Sequence, residues 1–284
     1  MPELPEVETI VRSLRHPVQW PFAKDQPLSE RPGIIGRQVS SAELHWQKTL
    51  ASPSADEFRA KIIGQSIRTA GRRGKFIVLS LDRNTLLIHL RMSGDLRVEK
   101  QECTLQPHDR LTLNFVDGSR LVFNDTRKFG RAWLVEDPQS VLGDLGPEPL
   151  DAALSAQHLY NRLHTSGRMI KTLLLDQTIL AGIGNIYADE ALHRAGIHPA
   201  RTGKSISLEQ TRRLLEAIRE VLEEGIQRNG SSIDWVYRGG DFQNYFRVYQ
   251  RTGQPCPVCG TAIERRVIGQ RSTHFCPVCQ RESE

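Results

Sequence analysis

The sequence predicts an α+β chain built from several modules, and four observations carry that expectation. An apolar stripe at helical spacing opens the chain, and short β-type runs then fill residues 36 to 135. Helical patterning takes over near residue 145, and four of the five cysteines fall within residues 256–284. At roughly 100–200 residues per domain, 284 residues allow two or three such modules. Hydrophobic residues make up 38% and charged residues 25%, enough apolar material to bury a core and too much for a disordered chain.

The elements follow in order. Leu4, Val7, Ile10, Val11 and Leu14 share one helical face, with Pro5 suited to a first turn. Glu3, Glu6 and Glu8 match the positive end of that helix's dipole. Residues 16–33 hold Pro17, Pro21, Pro27, Pro32 and Gly33 and read as a loop. Strands are expected at Phe76–Leu81, Leu86–Leu90, Leu111–Phe115, Leu121–Asn124 and Ala132–Val135, separated by turns such as Asp117-Gly118. Strands at this spacing predict a β-sandwich or barrel. After Leu145-Gly146-Pro147-Glu148-Pro149, helices are expected over 168–177 and 186–195. Ser207 with Gln210 marks a capping box before a long amphipathic helix reaching Ile226. Residues 229–244, rich in Gly, Ser and Asn, read as a flexible loop.

Cys256-x2-Cys259-x16-Cys276-x2-Cys279 has the spacing of a tetrahedral zinc site. The disulfide alternative needs an oxidising compartment. Residues 1–8 hold three glutamates and no basic residue, which argues against a secretory peptide. No apolar run approaches the roughly 18 residues of a membrane span. A cytoplasmic protein with one structural Zn2+ is therefore expected, with Cys103 a bystander. Four thiolates also leave no open position for catalytic water, which disfavours a zinc hydrolase.

The net charge, 38 − 33 = +5, is too small to name a partner. Its placement says more. Arg68, Arg72, Arg73 and Lys75 form a cationic run with no acid between them, a local footprint for phosphate.

Pro2 is the most unusual candidate. Removal of Met1 would leave proline as the first residue, with a secondary amine. An α-amino group titrates near 7.7–8.0, well below lysine at about 10.4, and a helix N-terminus lowers it further. Attack by that amine on a sugar C1′ yields an iminium ion, which is an electron sink for elimination.

Met1-Pro2-Glu3-Leu4-Pro5-Glu6-Val7-Glu8-Thr9 resembles the opening of the formamidopyrimidine-DNA glycosylases of the Fpg/Nei family. Gly74-Lys75, His89-Leu90-Arg91-Met92-Ser93-Gly94, Asp125-Thr126-Arg127-Lys128-Phe129-Gly130 and Leu145–Leu150 resemble family segments in family order. So do Leu175-Asp176-Gln177, Gly182–Glu190 and the four-cysteine ribbon with Gln270-Arg271, so the resemblance spans nearly the whole chain. It implies an N-terminal β-sandwich with an N-terminal helix (1–146), a helix–two-turns–helix domain (147–246) and a zinc ribbon (247–284).

It also implies roles. Pro2 is the Schiff-base nucleophile, Glu3 the general acid–base and Glu6 its support, while Lys75 aids elimination beside a phosphate. Met92, Arg127 and Phe129 fill the gap left when a damaged nucleotide leaves the stack. His108, Asn185, Arg168 and Lys171 contact DNA. Arg271 binds phosphate near the lesion and assists δ-elimination. Glu190 is structural. The loop 231–247 corresponds to the family's base-capping loop. The chain departs from the family at Ser166-Gly167, where two basic residues are usual, and in a longer 16–33 insertion.

The implied protein is a monomeric bifunctional glycosylase/AP lyase acting on 8-oxoguanine and formamidopyrimidines in damaged double-stranded DNA. Two alternatives stay open. One is the endonuclease VIII-like branch, which acts on oxidised pyrimidines and typically has Gly where Leu4 stands. The other is a non-catalytic zinc-ribbon DNA-binding protein, which would have no need of the Pro2-Glu3 start.

Overall fold

A computed structural model describes residues 1–15, 33–100, 102–232 and 239–282. Most of the Pro-rich 16–33 stretch, and residues 233–238 of the candidate capping loop, lie outside the described residues. The chain divides into two compact units, Met1–Gly143 with Asn229–Gly240, and Asp144–Arg228 with Asp241–Glu284.

The first unit opens with α1 (Leu4–Arg15), whose apolar stripe is buried as expected. It continues with β1 (Val39–Leu44), β2 (Leu50–Ser52), α2 (Ala55–Ile62), β3 (Ile67–Arg73), β4 (Phe76–Leu81) and β5 (Thr85–His89). It closes with β6 (Gly94–Lys100), β7 (Asp109–Phe115), β8 (Ser119–Asp125), β9 (Arg131–Val135) and the short α3 (Gln139–Leu142). One sheet has the order β1-β7-β8-β6 and the other β2-β9-β5-β4-β3. A single core joins them: Leu111, Leu113, Leu121 and Phe123 of the first sheet cluster with Ile77, Leu79, Leu86 and Ile88 of the second. Val7, Ile10, Val11 and Leu14 of α1 enter the same cluster. This is the sandwich with an N-terminal helix.

The five expected strands are present. β1, β2, β3 and β6 and the helix α2 are additional. β3 reads Ile-Arg-Thr-Ala-Gly-Arg-Arg, a run too basic to look like a strand. Pairing with β4 over Ile67–Arg73 satisfies its backbone instead. The α2 start is a complete capping box from Ser54 and Glu57.

The second unit holds α4 (Ala156–His164), α5 (Ile170–Leu175), α6 (Asn185–Ala195) and α7 (Leu208–Gln227). A 3-10 turn at Phe242–Tyr245 leads to the hairpin of β10 (Glu264–Ile268) and β11 (Arg271–Phe275). The helix expected over 168–177 is shorter at both ends, and α4 is additional. The predicted capping box of α7 is formed: the Gln210 amide donates to Ser207 Oγ, and Gln210 Oε1 accepts from the Ser207 amide. Among the described residues no helix is long and apolar enough to cross a membrane.

Candidate active site and nucleic-acid interface

In the first unit, Met1 is exposed while Pro2, Glu3 and Glu6 are buried at the head of α1. The Glu3 carbonyl accepts the Val7 amide, so Glu3 caps the helix and Glu6 stands three residues on. Glu6 Oε2 accepts the Glu3 amide at 2.8 Å, which is the return arm of a capping box. Its other oxygen accepts the Ser231 amide at 2.7 Å and the Ser231 hydroxyl at 3.2 Å. Gly230, at φ +75, lets that segment approach, since a Cβ there would lie 2.7 Å from the Glu6 side chain. Glu6 therefore fixes the backbone of Glu3, beside the candidate nucleophile.

Two contacts align α1 along β3. Arg15 Nε donates to the Ala70 carbonyl, and Arg72 Nε donates to Glu8 Oε2 at 3.0 Å. The head of α1 thus runs toward the two-residue turn of Gly74 and Lys75 that joins β3 to β4. Gly74 supplies the positive φ that such tight hairpins favour. Lys75 is only 5% exposed, an unusual position for a lysine on a hairpin tip.

His89 is a buried neighbour of Lys75 to which sequence reasoning gave no role. It pairs with Phe76 in the β4–β5 register, beside Lys75. Burial, then the charges of Arg91 and Lys75, push its pKa down to about 3. Its Nδ1 accepts the Arg91 amide at 3.0 Å, so the neutral ring carries its proton on Nε2. Its place beside Lys75 follows from the β4–β5 register, which the local sequence does not carry.

Met92 and Phe129 have the apolar character of strand-core residues, but neither is in the core. Met92 is 39% and Phe129 53% exposed, and Arg127 is exposed too. Their loops are fused through Asp125, which is fully buried. Asp125 accepts the Ser93 hydroxyl, the Arg127 amide at 3.2 Å and the Gly130 amide at 2.7 Å. Ser93 Oγ also accepts the Arg127 amide at 3.0 Å, and Arg127 Nη1 lies 3.7 Å from Met92 Sδ. His108 joins the same group, its carbonyl accepting the Asp125 amide at 2.9 Å. Six non-glycine residues among those described have positive φ, and four of them lie in candidate loops: Arg91, His108, Lys128 and Gln270. Such backbone persists where the surrounding contacts over-determine it, and it gathers at functional sites.

In the second unit, Gly182 at φ +93 and the N-cap Gly184 lead into α6. Gly184 takes the N-cap position, and Asn185 is the first helical residue, one residue ahead of the expected start at 186. The turn is held by Gln177, whose amide donates to the Ile183 carbonyl and whose oxygen accepts the Gly182 amide. Asn185 Nδ2 donates to the Ser272 carbonyl of β11 at 2.9 Å.

Arg271 opens β11 after the turn Gly269-Gln270, both at positive φ, a type I′ geometry. Gly269 sits against Thr172 of α5, with 2.6 Å between that side chain and a notional Cβ. Arg271 and Arg168 line one cavity of about 640 Å³ with Met169, Thr172 and Asp176, and Arg168 is paired with Asp176 at 2.7 Å.

Lys171 is a correction. It is wholly buried, bonded to Asp189 and to the Asn185 carbonyl, and its ammonium has no path to a phosphate. Asp189 also accepts the His274 amide, so Lys171 ties α5 and α6 to the ribbon. Glu190, the next residue, accepts the Arg247, Val248 and Tyr249 amides at 2.8–3.0 Å. Burial pushes its carboxyl pKa up, while those three N–H groups pull it down.

Cys256, Cys259, Cys276 and Cys279 bring their sulfurs within 4.8 Å of one another. Four thiolates about 2.3 Å from a central ion lie ~3.8 Å apart, and the observed Cys256–Cys279 and Cys259–Cys276 separations are 3.9 and 3.4 Å. The donor set therefore fits Zn2+.

A β-sandwich headed by a buried Pro-Glu pair, followed by helices and a four-cysteine hairpin, has the module order that the sequence resemblance implies. Family models agree. The formamidopyrimidine-DNA glycosylase N-terminal domain matches residues 27–132, its H2TH domain 145–236, and the zinc finger found in FPG and IleRS 253–281. Formamidopyrimidine-DNA glycosylase of Chloroflexus aurantiacus is 47% identical over 99% of this chain and 98% of its own length. That of Protochlamydia amoebophila is 39% identical over 99% and 100%. Lactococcus lactis Fpg, solved with DNA containing an abasic site, superposes with TM-score 0.86 at 33% identity, covering 98% of this chain and 99% of that one. A Lactococcus lactis FPG mutant with Fapy-dG DNA gives 0.87 at 34%, covering 99% and 100%. The chain belongs to the formamidopyrimidine-DNA glycosylase family.

Proposed function

We propose that this chain is a base-excision DNA glycosylase and AP lyase that removes oxidised purines, 8-oxoguanine and formamidopyrimidines, from duplex DNA. The observation that carries the reading is the burial of Pro2 and Glu3 at the head of α1, with Glu6 locking the Glu3 amide. A DNA-binding protein without chemistry has no use for a preorganised amine and carboxyl pair. The relatives carry glycosylase names, and the Lactococcus protein was solved on abasic and Fapy-dG DNA.

Removal of Met1 frees the Pro2 nitrogen. The target nucleotide leaves the stack, and Met92, Phe129 and Arg127, exposed on their clamped loops, occupy the vacated space. The Pro2 nitrogen bonds to C1′ as the base departs with its electron pair, and Glu3 manages the accompanying protons. Ring opening leaves an iminium, which remains cationic without a proton. Loss of a C2′ proton then expels the 3′ phosphate, δ-elimination expels the 5′ phosphate, and water releases the sugar remnant from Pro2. Lys75 and the Nε2–H of His89 supply positive and neutral donors to phosphate. Arg271 and Arg168 at their shared cavity, Asn185 and His108 hold backbone oxygens elsewhere.

One Zn2+ held by Cys256, Cys259, Cys276 and Cys279 would fix the hairpin that presents Arg271. The protein works as a monomer in the cytoplasm, on chromosomal DNA.

Borohydride trapping tests the reading on duplexes carrying 8-oxoguanine or an oxidised pyrimidine. A covalent adduct is expected on the first and should be lost in Pro2→Gly. No adduct on either duplex removes the lyase step, and preference for the pyrimidine moves the chain to the endonuclease VIII-like branch.

A further inference from the structure

α6 meets the ribbon along one stripe. Asn185, Asp189 and His193 recur every four residues and therefore share a face, and Glu190 flanks them. Asn185 bonds to Ser272, Asp189 to His274, and Glu190 to the segment 247–249. His193 is the last of the series. Its Nε2 lies 3.4 Å from Cys256 Sγ, and both residues are buried, at 4% and 3% exposure. The other ring nitrogen, Nδ1, is buried with no partner.

These facts select a tautomer. A neutral imidazole carries one N–H. On Nδ1, that proton would be a buried donor with nothing to bond, and the sulfur would face a bare ring nitrogen. On Nε2 it points at a sulfur. A thiolate is an acceptor only, and four of them around Zn2+ leave a net charge of −2 that needs donors when it is buried. Cys256 Sγ has one backbone donor, the Val258 amide at 3.5 Å. His193 supplies another from a different module of the fold.

We propose that His193 is a positioning residue of the metal site: its Nε2–H holds the Cys256 thiolate, slows metal loss and shields that sulfur from electrophiles. The proposal rests on the zinc reading above. It makes the end of α6 opposite Asn185 part of the metal site, so one helix joins the candidate phosphate-binding turn to a zinc ligand.

The test uses the full-length protein. Zinc content is measured first, and zinc-free wild type sinks both readings together. In zinc-loaded protein, metal transfer to excess chelator is timed and Cys256 alkylation by iodoacetamide is followed by mass spectrometry. His193→Phe keeps a buried planar ring without the donor and should lose zinc about 10-fold faster or more. His193→Gln places an amide N–H near the Nε2 position and should stay close to wild type. Loss no faster in His193→Phe than in wild type overturns the proposal, as does equally fast loss in both variants. An independent readout needs no variant. Long-range 15N–1H spectra of wild-type protein should show His193 protonated on Nε2 and bare on Nδ1, and a proton on Nδ1 overturns the proposal even if His193→Phe fails to fold.

Discussion

Among the described residues, the Glu6 carboxylate holds two backbone segments at once. One oxygen holds the Glu3 amide and the other holds Ser231. Glu6→Ala would leave those buried donors unsatisfied, at a cost of roughly 2–4 kcal/mol, and should lower the urea midpoint and the glycosylase rate together. A variant that loses neither would show that the clamp is incidental. Lys171 and Arg271 separate structural from electrostatic cations. Lys171→Met breaks a fully buried pair and should destabilise the protein by about 3–5 kcal/mol without altering the salt dependence of DNA binding. Arg271→Ala should leave stability nearly unchanged and reduce the slope of log K against log salt by about 1. Fluorescence anisotropy over a salt series distinguishes them, and the reverse assignment would restore Lys171 as a phosphate contact. The sequence showed Lys171 as one more cation near a helix start. Its burial depends on Asp189, eighteen residues away, a pairing that no local pattern encodes.

At the scale of elements, legibility followed periodicity and punctuation. α1, α6 and α7 were readable because each combines an apolar stripe with a cap or breaker that the local sequence sets. β3 was not, because Arg68, Arg72 and Arg73 mask a strand whose pairing with β4 is non-local. The cysteine knuckles were legible in full, since their spacing is the geometry. What the sequence withheld was how the ribbon is seated: Asn185, Asp189, Glu190 and His193 are scattered polar residues until α6 is wound. If the metal organises that hairpin, Cys276→Ser should release zinc and weaken DNA binding. Unchanged affinity after metal loss would mean that β10 and β11 hold Arg271 without it.

Across the whole molecule, buried histidines make stability depend on pH. His89 titrates near 6.5 when unfolded and near 3 when folded, so between those values the unfolded chain binds more protons. Stability from this group is full above about pH 6.5 and falls as the pH drops toward 3. Urea midpoints measured from pH 7 down to about 4 should decline less steeply in His89→Gln than in wild type, and parallel curves would contradict the assignment. The order in which the molecule is assembled also matters. Asn229–Gly240 belongs to the first unit, although residues 144–228 intervene. A ribosome has therefore finished the sandwich, and the helices beyond it, before Gly230 and Ser231 emerge to close on Glu6. A chain cut short before residue 229 would carry Pro2 and Glu3 without the Ser231 contact that holds Glu6, so an incomplete translation product would lack the buried arrangement on which the proposed chemistry depends.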